Sequence, residues 1–167
     1  VISSPAIRYL DQKTIPYRIF THEFLPSCLE RAAYERGQLP EQVIRSILFR
    51  VKPGQFVMVL IAGQEQISWK KVRGYMGISR LSMATETEVK VITGCEIGMV
   101  NPLGFPHSIR VLVDESVFKP QEISIGCGVP GSAIILKADD LQRSLNSKEI
   151  GLFSDSARQE NNKGAPG

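Results

Sequence analysis

The stretch Val43–Ala62, VIRSILFRVKPGQFVMVLIA, decides what kind of fold this chain can form. Its two halves are rich in β-branched and apolar residues, which favour strands. They flank Lys52-Pro53-Gly54, whose proline and glycine suit a tight turn. The pattern predicts two strands, Val43–Val51 and Gln55–Ala62. The longest apolar run, Phe56–Ala62, is strand-sized and far short of the roughly 18 residues that a membrane helix needs.

Shorter elements surround this hairpin on both sides. Helical spacing and capping signals predict helices, and apolar runs between turn residues predict further strands. About six short strands without regular βαβ alternation indicate an α+β fold. The predicted helices are Ser4–Lys13, Cys28–Arg36, Trp69–Met76 and Ala138–Leu145, and the other strands are Tyr17–Phe24, Ile109–Asp114, Glu122–Ile125 and Ser132–Leu136.

The bulk composition is that of one ordinary soluble domain. The chain has 167 residues, 43% of them hydrophobic and 22% charged. Its first residues lack the pattern of a signal peptide, so we expect a cytoplasmic protein. Three scattered cysteines and two histidines predict neither a disulfide framework nor a zinc site. A net charge of +3 permits a nucleic-acid partner without requiring one.

The sequence contains a G-x-G-x-x-G pattern at Gly126–Gly131. A dinucleotide site would need a helix directly after it, so that backbone N–H groups meet the pyrophosphate. Here Pro130 removes one such donor, and the following Ser132–Leu136 has the composition of a strand. The pattern therefore predicts a hairpin loop.

The stretch richest in chemical possibilities is Thr93–Gly104, TGCEIGMVNPLG. Three glycines and a proline describe a backbone shaped for close approach to another group. Successive N–H groups in such a loop can hold a carbonyl oxygen or a developing oxyanion. The alternative is a long connection whose glycines serve only turn geometry.

The order of these elements resembles the YbaK and prolyl-tRNA-synthetase-associated family of aminoacyl-tRNA editing domains. Its V-x-K-[ST]-L strand is matched by Val43–Ile47, and its T-G-x-x-x-G-G-[IV]-S-P-L-G loop by Thr93–Gly104. A strand that ends in Asp is matched by Val111–Asp114, and a last glycine turn by Ile125–Gly131. The resemblance covers approximately residues 5–146.

The resemblance implies both a fold and an activity. The fold is a single α+β domain, residues 1–150, with a curved, mixed, barrel-like sheet and flanking helices, and we expect a polar tail over 151–167. The activity is hydrolysis of the ester between an amino acid and the terminal adenosine of tRNA, with small amino acids on tRNA for proline or a related tRNA as expected substrates. Family members use the substrate's 2′-hydroxyl and a bound water, while loop N–H groups stabilise the oxyanion. No metal or organic cofactor is implied; mischarged tRNA is the implied partner, and a synthetase is a potential one.

The resemblance also assigns roles within the strand and the loop, and the sequence departs from the family at three positions. Arg45 stands for the family's lysine, keeping the positive charge in a larger, planar group. Met99 replaces a second glycine, and Asn101 replaces a serine but can still donate and accept hydrogen bonds. The candidate catalytic residues are Arg45, Gly98 and Asn101, and the substrate-binding residues in the loop are Met99, Pro102, Leu103 and Gly104.

Four residues outside the loop are further candidates for substrate binding. His22 ends the first strand, where family members carry an aromatic residue, although an exposed histidine is an equal alternative. Gly126 and Gly128 could complete the pocket wall. Asp114 is expected to order the loop beside it rather than to act as an acid. Cys95 and Cys127 are expected to be packing residues.

The densest basic cluster, hereafter the basic cluster, consists of Lys70, Lys71, Arg73 and Arg80. Such a patch could contact the phosphates of a tRNA acceptor stem, and a solvated helix face is an equal alternative. Two alternatives to an editing hydrolase stay open. One is a module that binds an aminoacyl end or a small metabolite without hydrolysis, and the other is a protein that docks on a synthetase.

Overall fold

The chain folds into two β-sheets and five α-helices within the part of it that the structure describes. That structure is a computed structural model, which describes residues 2–106, 108–145 and 149–155. The helices are α1 (Pro5–Gln12), α2 (Leu29–Glu35), α3 (Trp69–Met76), α4 (Glu86–Thr93) and α5 (Ala138–Ser144). The strands are β1 (Arg18–Thr21), β2 (Ile44–Lys52), β3 (Gln55–Ala62), β4 (Ser82–Met83), β5 (Arg110–Asp114), β6 (Glu122–Gly126), β7 (Ser132–Lys137) and β8 (Glu149–Gly151).

The predicted hairpin forms the centre of the larger sheet. Strands β2 and β3 pair antiparallel, and Gly54 takes a φ of +77° at the turn, which glycine adopts without strain. Residues 57–62 of β3 are at most 2% exposed, so this strand is buried on both faces. Strands β5 and β8 continue the sheet in parallel beyond β3, and β4 borders β2 on the other side.

A second, smaller sheet is antiparallel and has the order β1-β7-β6. The predicted α+β class is confirmed, but the expected single, barrel-like sheet is not. Closure into a barrel needs continuous pairing between neighbouring strands. Here the two sheets are linked in backbone pairing by one parallel bridge, between Val43 and Ser124, among the described residues.

Two apolar cores result because both faces of β3 are covered. The first core includes Met58 and Leu60 and extends to α1, α4, α5 and the smaller sheet. The second includes Val59 and Ile61 of β3 and Val72 of α3. Within the described residues, no helix is both long enough and apolar enough to span a membrane.

The segment 151–155 corrects part of the expected polar tail. Phe153 is 1% exposed and belongs to the second core, and its N–H donates to Asp114 Oδ1 at 2.8 Å. Ser154 forms an antiparallel bridge with Ile67. Burial of Phe153 contributes about 1.5–3 kcal/mol to holding this short segment, and backbone hydrogen bonds to Ser68 and Gln66 add to it. The rest of the expected tail, 156–167, lies outside the described residues.

Candidate active site

A cavity of about 490 Å³ lies along an open edge of the hairpin. Strand β4 pairs with β2 only at Phe49 and Arg50, so the edge at residues 44–48 borders the cavity instead of a full strand. The other walls come from the loop after α4, from the ends of β6 and β7, and from the segment around His22. The cavity therefore sits where the two sheets fail to close into one.

The loop predicted from Thr93–Gly104 begins as α4 ends and forms one wall. Gly94 terminates α4 in the left-handed conformation, with a φ of +75°. Thr93 Oγ1 donates to the carbonyl of Val89 and accepts from the N–H of Cys95, which fixes the exit from the helix. Gly98, with a φ of +88°, and Met99 then line the cavity. Helix α4 was not among the helices predicted from the sequence.

Two backbone N–H groups of this wall have no hydrogen-bond partner among the described residues. Gly98 and Val100 both line the cavity. Among the described residues, none accepts a hydrogen bond from either backbone N–H, whereas the N–H of Met99 between them donates to the carbonyl of Glu96 at 3.0 Å. Unpaired N–H groups in a loop of this kind can bind a carbonyl oxygen or an oxyanion.

Asn101 is part of the loop's framework. Its side chain is 2% exposed, Oδ1 accepts from the N–H of Leu103 at 2.9 Å, and Nδ2 lies 3.8 Å from Cys95 Sγ. It is not among the described residues that line the cavity. The structure thus places its amide behind the wall, where it shapes the backbone.

The glycines flanking the cavity divide into two groups. Gly126 lines it, and a Cβ there would lie 3.1 Å from the carbonyl oxygen of Met99. Gly104 instead packs against the start of α1, where a Cβ would meet the backbone of Pro5 at 2.6 Å. Three other predicted substrate-binding residues, Pro102, Leu103 and Gly128, are likewise absent from the described lining.

The guanidinium of Arg45 is bound by the protein's own backbone. Its Nε donates to the carbonyl of Gly63 at 2.8 Å, and its Nη2 donates to the carbonyl of Glu65. Arg45 pairs with Ile61 across the hairpin, so its side chain shares the face that carries the second core. Arg45 lines the cavity as part of the β2 edge, but its charged group is held by the turn after β3.

Ser46 is a polar group of the cavity wall that the resemblance alone did not single out. Its hydroxyl is buried and has no hydrogen-bond partner among the described residues. A buried hydroxyl without a partner costs roughly 1–3 kcal/mol. A ligand that hydrogen-bonds to Ser46 would remove that cost.

His22 and Arg36 form a polar network at the opposite wall. The side chain of His22 is 1% exposed; its Nδ1 lies 3.2 Å from Glu35 Oε2, and its Nε2 accepts from Arg36 Nε at 3.1 Å. Arg36 also donates from Nη1 to Ser124 Oγ at 2.9 Å. Burial, followed by the charge of Arg36, lowers the pKa of His22, and Glu35 opposes this change. Of the two alternatives for His22, the exposed histidine is wrong, because the side chain is buried at the cavity wall. Arg36 is a cavity residue that helical spacing alone could not identify.

The remaining candidates lie away from the cavity. Asp114 is 2% exposed and accepts from the N–H and hydroxyl of Ser116 and from the N–H of Phe153, so it orders its neighbouring segments. The basic cluster lies on and just after α3, which packs on the second core. Lys71 Nζ donates to the carbonyl of Ser154 at 2.8 Å, while Lys70 and Arg80 are exposed. None of the four lines the cavity in the described structure.

The sequence of residues 23–144 matches the family model described as aminoacyl-tRNA editing domain. This match spans more than half of the 167 residues, and the chain belongs to the aminoacyl-tRNA editing domain family. The predicted family is thereby confirmed. At the level of the family, so is the predicted class of enzyme, an aminoacyl-tRNA deacylase.

Individual relatives agree with this membership. The chain is 28% identical over 141 residues to the Multifunctional Ser/Thr-tRNA deacylase ProXp-y of Escherichia coli (strain K12), which covers 82% of this chain and 84% of that protein. It is 33% identical over 87 residues to the proline--tRNA ligase of Kosmotoga olearia, which is 52% of this chain and 15% of that ligase. A crystal structure described as a candidate trans-editing enzyme for prolyl tRNA synthetase has a TM-score of 0.81 at 21% identity, over 93% of this chain and 99% of that one. The structural similarity shows the shared fold.

Proposed function

We propose that this chain is a trans-acting deacylase that hydrolyses the ester of tRNA carrying a small amino acid. The observation that carries the proposal is the pair of unpaired N–H groups, at Gly98 and Val100, in residues that line the cavity. A crystal structure of the same fold, described as a candidate trans-editing enzyme, is covered over 99% of its length, which supports action as a separate protein.

The proposed reaction uses backbone donors and substrate groups. The oxygen of a water molecule bonds to the ester carbonyl carbon, and negative charge develops on the carbonyl oxygen, where the two N–H groups stabilise it. The bond from that carbon to the ribose oxygen then breaks, and the ribose oxygen takes up the proton that the water loses. The products are the free amino acid and tRNA with its terminal hydroxyl restored. One well-placed donor of this kind contributes about 3 kcal/mol to the transition state.

Among small amino acids, we place serine and threonine first as candidate substrates. The wall is largely apolar, with Ile44, Leu48 and Val89 among its residues. The buried, unpartnered hydroxyl of Ser46 offers a hydrogen bond to a substrate hydroxyl or to the 2′-hydroxyl of the terminal adenosine. A relative named for Ser/Thr-tRNA deacylation supports the same choice.

The experiment is deacylation of tRNA charged with Ser, Thr, Ala or Cys, on tRNA for proline and on the cognate tRNAs, with Gly98→Ala as the test variant. Alanine at a φ of +88° strains the loop by about 1–2 kcal/mol, so the backbone shifts and the donors move. We expect kcat to fall by about tenfold or more. Gly77→Ala is the matched control, because Gly77 has a φ of +68° and an equally open Cβ position at the end of α3, away from the cavity.

A second candidate function is binding of the aminoacyl end without hydrolysis. The observation that favours it is Arg45, whose guanidinium is held by two backbone carbonyls instead of facing a substrate. Measurable binding of tRNA, together with no turnover of any charged tRNA in the panel, would replace the deacylase proposal with this one. If the Gly98→Ala and Gly77→Ala variants had equal deacylase activity, the N–H groups of the loop would have no part in the mechanism.

A further inference from the structure

We infer that Arg36 is the cation that binds an anionic oxygen of the substrate in this cavity, and that His22 positions it. This inference rests on the proposed function, because it takes the aminoacyl end of tRNA as the ligand. The anionic oxygen has two sources with the same chemistry: the phosphodiester next to the terminal adenosine and the oxyanion that forms at the ester carbonyl.

The guanidinium of Arg36 is held at two of its three nitrogens. Nε donates to His22 Nε2 at 3.1 Å, and Nη1 donates to Ser124 Oγ at 2.9 Å. Ser124 is fully buried, and its hydroxyl donates a hydrogen bond to Gln38 Oε1 at 2.7 Å. Among the described residues, none accepts from Nη2, and Arg36 lines the cavity. The wall therefore fixes the orientation of the guanidinium and leaves Nη2 for a ligand.

Among the described residues, no carboxylate forms an ion pair with Arg36 at the cavity. Among the described lining residues, Arg36 and Arg45 carry the positive side chains, and no Asp or Glu is present. The guanidinium of Arg45 is already bound by the carbonyls of Gly63 and Glu65. The nearby Glu35 contacts His22 at 3.2 Å and Arg31 at 3.9 Å. Glu35 interacts with the charge of Arg36 at longer range but is not hydrogen-bonded to it in the described structure. An oriented arginine in a largely apolar wall is suited to an anionic oxygen.

His22 holds Arg36 only while it is neutral. To accept from Arg36, Nε2 must lack a proton, so the proton is on Nδ1, which then donates to Glu35. The other groups that face this pair are Ser124, Cys127 and the Phe20 ring, whose centroid lies 4.9 Å from that of His22. The charge of Arg36 interacts with Glu35 as well as with Cys127. Protonation of His22 would set an N–H against the Arg36 N–H and place two like charges together.

The test measures kcat and KM of Arg36→Leu and Arg36→Lys on the charged tRNA that the wild-type protein hydrolyses best. We expect kcat/KM to fall about 10- to 100-fold for Arg36→Leu. Arg36→Lys should lose less, because it keeps the charge but not the planar fork. A rise in KM alone identifies the phosphodiester as the ligand, and a fall in kcat identifies the oxyanion. Arg18→Gln is the control, since Arg18 is an exposed arginine whose side chain pairs with Glu122.

The role of His22 is tested by a pH profile. His22→Gln can still accept from Arg36 but does not titrate, so we expect it to retain activity and to lose the decline of kcat/KM on the acid side. His22→Leu should lose activity at all pH values.

Unchanged kinetics in folded Arg36→Leu, or an unchanged acid limb in His22→Gln, would overturn the inference. A wild-type protein without deacylase activity would instead overturn the proposed function, and binding of uncharged tRNA to wild type and Arg36→Leu would then decide whether Arg36 contacts phosphate.

Discussion

Asn101 and Arg45 direct their polar side chains at the protein's own backbone. Asn101 accepts from the N–H of Leu103 at 2.9 Å, and Arg45 donates to the carbonyl of Gly63 at 2.8 Å. Each bond satisfies a backbone group in a loop that has no regular secondary structure to satisfy it. Both residues therefore stabilise loop conformations, and their catalytic roles stay predictions.

The lowered pKa of His22 makes the stability of the folded chain depend on pH. In the folded chain its pKa is lowered from the ordinary value of 6.5, because burial and the charge of Arg36 outweigh Glu35. At pH values between the folded and the unfolded pKa of His22, the unfolded chain binds the proton more strongly than the folded chain. The contribution of His22 to the free energy of unfolding is therefore fully present above pH 6.5 and is lost as the pH falls below it. We expect the free energy of unfolding, measured in urea, to decline on acidification and the decline to be smaller in His22→Gln. His107→Gln, which changes the other histidine of the sequence, is the control; an equal decline in wild type and His22→Gln would contradict the assignment.

At the scale of elements, α3 and the segment just after it carry the positive charges that a tRNA could contact. Lys70 and Arg80 are exposed, whereas Lys71 is bound to the carbonyl of Ser154. We expect the charge reversals Lys70→Glu and Arg80→Glu together to weaken binding to all tRNAs alike. The slope of log K against log salt should fall by about 1 for each lost phosphate contact.

A control for this experiment is the same change of charge elsewhere. Lys52 and Lys119 are exposed lysines outside the basic cluster, and their reversal to glutamate changes the net charge equally. Fluorescence titration of labelled tRNA at several salt concentrations compares the two double variants. An equal loss of affinity in both would mean that net charge, and not the position of the basic cluster, governs binding.

At the scale of the whole molecule, Phe153 joins the last described segment to the larger sheet. It packs in the second core and against the Tyr75 ring at 5.2 Å, and its N–H binds Asp114. We expect Phe153→Ala to lower the free energy of unfolding by about 3–5 kcal/mol, as for other buried aromatic residues. Chemical denaturation measures the change. Leu152→Ala is the matched control, because Leu152 is 54% exposed and should cost little; a similar loss for both variants would contradict the packing of Phe153.

Much of the fold follows from local signals that the sequence carries. The hairpin in Val43–Ala62 was predicted from strand-forming residues around a Pro-Gly turn, and the bounds of α3, Trp69–Met76, agree with the predicted ones. Helix α4 was not predicted, because its valine, isoleucine and threonine residues are weak helix formers. Its start does have a local signal, since the Thr85 and Glu88 side chains form a capping box.

The sequence by itself determined the order of the elements, the loop at Thr93–Gly104 and the family to which the chain belongs. Propensities, turn residues and loop motifs act over a few neighbouring residues, so they can be read from the chain directly. Only the tertiary structure decided which side chains meet. Arg36 reaches His22 across 14 residues and Ser124 across 88, and Phe153 reaches Asp114 across 39. Such contacts depend on how two sheets pack and where they fail to close, and no local pattern encodes that arrangement.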